Sequence, residues 1–230
     1  MVVPPTDARL RLRISATSGG VTVTAEPRTD VVVDRRGVAA STADGTIEIR
    51  ATRPSDSVDV RCPVDADVMV GTRSGGVELA GRFGTVGITS QSGSIRVAAA
   101  AEADLRTVSG VVKVETCDGR CRVSTTSGRI TVGATRDAEI STSSGSVDVD
   151  AVAGTIEVRS VSGTVSVASA GGGPVNASTV SGSITIRLPN GVRPAVRTSG
   201  RGTVHSTLEP GDDMLIDIAT VSGTVRLVPG

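Results

Sequence analysis

The sequence predicts an all-β fold, a single-domain parallel β-solenoid, on three observations. One phrase, Thr/Ser-x-Ser-Gly-x-Val/Ile-x-aliphatic, recurs at 72–79, 90–97, 107–114, 125–132, 142–149, 160–167 and 179–186. Its glycines stand at 75, 93, 110, 128, 145, 163 and 182, so the successive gaps are 18, 17, 18, 17, 18 and 19. A period held this long marks a repeat architecture in which each unit packs on its neighbours. Around the phrase, apolar and polar residues alternate, which is the strand pattern. Finally, Tyr and Trp are absent and Phe83 is the one aromatic residue. A thin interior filled by small β-branched side chains has no room for rings.

The elements follow from the phase of the alternation. Ahead of Gly110 the inward set reads Ala103, Leu105, Thr107 and Ser109; beyond it, Val112 and Val114. The step across the glycine is three rather than two, as a corner between two strands requires. Each repeat is therefore two short strands, a corner at Ser-Gly and a looser turn. Stacked, the repeats align Ile95, Val112, Ile130, Val147, Val165 and Ile184, and beside them Val97, Val114, Val132, Val149, Val167 and Ile186. Before the corner they align Ile88, Leu105, Val123, Ile140, Val158 and Ala177.

Toward the N-terminus, Leu10, Leu12, Ile14, Ala16 and Ser18-Gly19, then Val21 and Val23, form a first coil. Val38, Ala40, Thr42 and Asp44-Gly45, then Ile47 and Ile49, form a second, with Val31–Val33 and Val58–Val64 as extra strand. The wider gaps (45 minus 19 is 26; 75 minus 45 is 30) mark insertions. Toward the C-terminus, Gly202 and Gly223 carry Val204, Val225 and Leu227, with an ambiguous register around 199–203. The expectation is one domain over 1–230: longer capping coils at 1–67, regular repeats at 68–188 and less regular coils at 189–230. That makes about ten or eleven coils. No helix is expected, since no capped 3.6-residue pattern occurs.

Composition limits function. Lys plus Arg and Asp plus Glu each number 24, which removes the bulk attraction for nucleic acid or an acidic membrane. With Phe83 as its one aromatic residue, the chain has no stacking platform for bases. The sequence shows no membrane-length apolar run and no leader pattern at Met-Val-Val-Pro-Pro, which points to a cytoplasmic chain. A mature exported chain whose leader had been removed would read the same way. Cys62, Cys117 and Cys121 are too few for a disulfide framework.

Candidate chemistry is sparse. The hydroxyl column Thr72, Ser90, Thr107, Thr125, Thr142, Ser160 and Thr179 could form an ice-binding array, but its phase turns it inward, where it can bond to corner backbone. His205 is the single histidine, so neither a His pair for metal nor a base for a serine nucleophile is available. Cys117-Asp-Gly-Arg-Cys121 reads as a turn residue plus a buried small residue. Asp65/Asp67, Asp148/Asp150 and Asp212/Asp213 lack the Gly-rich nonapeptide of calcium-stacking rolls. Outward positions such as Arg96, Lys113, Thr131, Asp148 and Ser166, or Arg106, Ser124, Ser141, Arg159 and Ser178, are mixed in charge. Gly171-Gly-Gly-Pro174 reads as a turn, because no helix follows to hold a phosphate.

The Ser-Gly-x-Val repeats, the Val-Asp-Val-Arg-Cys-Pro run at 58–63 and the Ile-Arg-Leu-Pro run at 186–189 resemble a bacterial putative-adhesin family, β-strand-repeat domains of unknown function. The resemblance spans nearly the whole chain. It implies a right-handed, β-helix-like solenoid with no defined catalytic, cofactor-binding or metal-binding residues. The expected function is a non-enzymatic structural or interaction scaffold, adhesin-like, for an unknown protein or surface ligand, without nucleic acid, membrane span or cofactor. Alternatives are a self-assembling scaffold resembling bactofilins, joined end to end through open strand edges, and a carbohydrate-active β-helix enzyme.

Overall fold

The computed structural model describes residues 2–3, 10–34, 37–43, 45–169 and 173–230. Asp44, Gly171 and Gly172 lie outside them. The described residues include no helix, the strands pair mostly in parallel, and the fold is β-solenoid-like. The chain divides into two compact units, Met1–Asp118 and Gly119–Gly230. The first contains β1 (Val2–Val3), β2 (Arg11–Ser15), β3 (Val21–Glu26), β4 (Val31–Val33), β5 (Val38–Ala43), β6 (Thr46–Ala51), β7 (Val58–Pro63), β8 (Asp67–Thr72) and β9 (Val77–Ser92). β10 (Ile95–Val152) supplies strand to both units. The second continues with β11 (Ile156–Ser169), β12 (Val175–Leu188), β13 (Pro194–Gly200), β14 (Thr203–Ser206), β15 (Met214–Thr220) and β16 (Thr224–Pro229). The longest strands are ladders that continue around the corners of the coils.

The columns read from the sequence are the core. In the first unit Ile95 lies on Val77, Val97 on Leu79 and Leu105 on Ile88. In the second, Val147, Val165, Ile184 and Val225 succeed one another, as do Ile140, Val158, Ala177 and Ile218. All of these side chains are buried. Each Val or Ile withdrawn from water contributes roughly 2 kcal/mol. A further column occupies the looser turn: Phe83 and Ala100 in the first unit, Val152 and Ser169 in the second. Phe83 is fully buried there, so the interior accommodates one ring, contrary to the expectation from composition.

The corner differs from its sequence reading in one respect. The inward phase ends at the threonine, and the following serine turns outward: Thr107 is buried and Ser109 exposed. The glycine has two duties. Gly145 adopts φ 138°, and a Cβ there would lie 2.1 Å from the Gly128 carbonyl oxygen of the preceding coil. Bend and close stacking together exclude any other residue.

Both ends depart from sequential stacking. At the N-terminal end β2 pairs with β6 on one side and β8 on the other, and β3 lies between β7 and β9. The first coil in sequence is thus the second in space. Ile47 and Ile49 align with Leu12 and Ile14, before the corner rather than after it, and Val58 and Val60 complete that outer coil. Gly45 therefore belongs to a β5–β6 antiparallel connection, not to a coil corner. β4, on the other hand, is an added strand as expected, antiparallel to β7, with β1 beyond it. At the C-terminal end β15 lies between β12 and β13, and β16 between β12 and β14. The strand containing Val225 to Pro229 is therefore interior, and the outermost coil is Pro194 to Ser206. Its inward-phase Thr198 and Ser206 are exposed and polar, as a terminal repeat requires.

Candidate functional site

The repeated hydroxyls serve the corners. Thr107, Thr125 and Thr142 donate through Oγ1 to the carbonyls of Ser109, Ser127 and Ser144, at 3.4, 3.2 and 3.1 Å. Thr72 Oγ1 accepts from the Gly75 amide at 3.2 Å. The corner serines bond to neighbouring coils instead: Ser144 Oγ donates to the Thr126 carbonyl and Ser162 Oγ to that of Ser143. Ser90, Ser160 and Thr179 are buried with no bond to their hydroxyls. This column is internal and offers no array to a ligand.

The other candidates are separate from one another. His205 is exposed on β14. Cys62, Cys117 and Cys121 are buried, and burial pushes the Cys62 thiol up to about 12, against a weaker pull from Arg28. Asp65, at φ 60°, pairs with Arg82 at 3.1 Å, and Arg82 also reaches Asp118 at 3.0 Å. Asp67 Oδ1 accepts from the Thr85 amide at 2.8 Å, fastening the turn of the next coil. Asp213 Oδ2 accepts from the Arg193 amide at 3.0 Å in the same way. Asp148 and Asp150 point outward and are exposed. Among the described residues no three His, Cys, Asp or Glu side chains converge.

What the coils do create is relief on the outer face of the strands that precede each corner. Among the described residues, hollows form there in both units. In the second unit a hollow of about 310 Å³ lies across β11, β12, β15 and β13. Register sets Glu157, Asn176, Asp217 and Arg197 side by side, and next to them Arg159, Ser178, Ala219 and Ser199. Asn176, Ser178 and Ala219 make a low floor between two arginines, one of which, Arg159, is ion-paired with Glu157.

In the first unit a hollow of about 470 Å³ lies across β2, β8, β9 and β10. Its rows are Arg13, Met69, Gly87 and Asp104, then Ser15, Gly71, Thr89 and Arg106. Arg106 Nη2 donates to Asp104 Oδ2 at 2.7 Å, whereas Asp104 Oδ1 is buried with no partner. Met69 projects from the middle, 56% exposed. None of these hollow-forming positions was singled out as a site by sequence. Arg106, Arg159 and Ser178 are outward as expected, and Arg106 faces Thr89 and Arg159 faces Ser178 between consecutive coils, but the contact of Ser178 with Ala219 depends on the swapped order of the C-terminal end.

Residues 1–152 and 120–227 both match the family described as Toastrack DUF4097. No curated protein matches the chain. Among solved structures it is similar to a putative adhesin from Parabacteroides distasonis, 11% identical over 98% of this chain and 96% of that one, with a TM-score of 0.41. A putative lipid binding protein from the same species is 12% identical over 96% and 94%, at 0.38. A putative adhesin from Bacteroides fragilis is 14% identical over 98% and 99%, at 0.32.

Proposed function

The chain belongs to the Toastrack DUF4097 family, and we propose that it is a non-enzymatic interaction scaffold, adhesin-like, that binds a surface ligand through the outer faces of the strands preceding the corners. One observation carries this reading. The residues that repeat are consumed by the core and the corners, while outward side chains that do not repeat supply the charged lining of hollows in both units. A scaffold separates fold from recognition in this way. In the second-unit hollow, Asn176, Asp217 and Arg197 offer donors and acceptors to a polar ligand on a floor of small side chains.

Beads coated with the folded chain should adhere to immobilised cell-envelope material above beads coated with albumin. The double change Ser178→Arg and Ala219→Arg fills that hollow without touching the core and should reduce adherence. Adherence no better than albumin, or release of reducing sugar from a polysaccharide panel, would overturn the reading in favour of none or of an enzyme.

End-to-end assembly is the second reading, favoured by β13 and β14, each of which pairs on one side only. The polar Thr198 and Ser206 weaken it. Light scattering that rises with concentration would support assembly, and a constant monomer mass would remove it. No helix is long and apolar enough to cross a membrane among the described residues.

A further inference from the structure

The first-unit hollow is floored by two glycines that the fold itself does not call for. Gly71 and Gly87 lie within β8 and β9 and neither has a left-handed φ. A Cβ on Gly71 would meet nothing within 4 Å, and one on Gly87 only Met69 Cγ at 3.7 Å. Glycine inside a strand costs conformational entropy and gives up a packing side chain. Where neither bend nor clash explains it, close approach of another group to the backbone does.

Three neighbours define that group. Met69 offers a half-exposed thioether on the row of Gly87. Thioethers favour contact with aromatic ring edges. Arg13 and Arg106 stand at opposite ends of the two rows, and guanidinium planes favour ring faces. The Asp104 carboxylate, 38% exposed on the row of Gly87, accepts from Arg106 and keeps acceptor capacity for a further donor. A flat ring carrying an N–H or O–H satisfies all three while lying on bare backbone. The chain cannot supply one: it has neither Trp nor Tyr, and Phe83 is fully buried.

We propose that this hollow docks an exposed tryptophan or tyrosine side chain of a partner protein, with the ring over Gly71 and Gly87 and its N–H or O–H donating to Asp104. This rests on the reading of the chain as an interaction scaffold and names the chemistry of one of its hollows. The volume of about 470 Å³ suits a ring with its flanking backbone, within the range of small-molecule sites of about 300–1,000 Å³.

The absence of Trp and Tyr makes the test direct, because indole emission reports the probe alone. Titrating the folded chain into an acetylated Gly-Trp-Gly amide should give a saturable change in emission. Competition should rank Gly-Trp-Gly and Gly-Tyr-Gly above Gly-Phe-Gly, and that above the cyclohexylalanine analogue, which keeps the shape without the π system. Gly87→Val should abolish the change while melting at or above the wild-type temperature. Met69→Ala, at an exposed position, should weaken it, and Asp104→Ala, which removes the acceptor, should erase the preference for Trp over Phe. Asp150→Asn, exposed in the other unit and outside these hollows, should change nothing. A signal that does not saturate, equal binding of the cyclohexylalanine peptide, or wild-type binding by both Gly87→Val and Met69→Ala would overturn the proposal. Should coated beads adhere while the Trp peptide fails to bind, this inference falls and the scaffold reading stands.

Discussion

A Cβ on Gly145 would lie 2.1 Å from the carbonyl oxygen of Gly128, whereas one on Gly71 would meet nothing within 4 Å. The corner glycines are dictated by their own stack; the outer-face glycines have no such constraint. The same division runs through the side chains. Val147 and Val149 belong to columns that any coil needs, while Asp148 between them faces solvent. The repeated phrase thus marks what builds the coil, and the proposed recognition is assigned to residues outside it.

The largest effect should come from breaking a column. Val149 is fully buried, and Val149→Asp would place an unpaired carboxylate in the core, costing more than about 4 kcal/mol and abolishing a cooperative melt. Asp148→Val, one residue away and exposed, should stay within about 0.5 kcal/mol. Similar melting of the two variants would mean that the in–out phase is wrong.

Next is the corner itself. Gly145→Ala requires both a strained φ of 138° and a shift of the Gly128 carbonyl, so urea unfolding should show a loss of about 2–4 kcal/mol. A wild-type midpoint would show that the corner glycines stack more loosely than their geometry indicates.

The hydroxyl column separates two smaller effects. Thr142 is buried and its Oγ1 donates to the Ser144 carbonyl, so Thr142→Val should cost about 1 kcal/mol. Thr179 is buried as well, with no partner for its hydroxyl, so Thr179→Val should leave stability unchanged or raise it. Equal losses at the two positions would show that a corner bond forms at Thr179 too.

How much of this could be read from sequence depends on which contact is asked about. The columns through Val112 or Ile140 were legible because a one-residue slip would move every aliphatic side chain to the outside. The order of the coils at the ends was not. Leu12 and Ile14 fit equally well against Ile47 and Ile49 or against Val68 and Val70, and in the structure they touch both pairs. Alternation fixes which face is buried and says nothing about which strand lies beside which. The hollows were illegible for the same reason: Met69 meets Arg13, and Asp217 meets both Asn176 and Arg197, only once the end coils are interleaved. The outward turn of Ser109 is not legible in the sequence because a corner breaks the alternation.

The smallest effect on stability is also the sharpest test of the comparison. Gly71→Ala and Gly87→Ala add a methyl group to open space in one case and to ordinary contact with Met69 in the other. Strand entropy then predicts that each raises stability by about 0.5–1 kcal/mol, read as a higher urea midpoint with an unchanged slope. A loss at either site would give that glycine a structural duty and join it to the corner set. A gain would mean that the fold carries two suboptimal residues side by side on an exposed surface. Proteins tolerate such positions where function requires them.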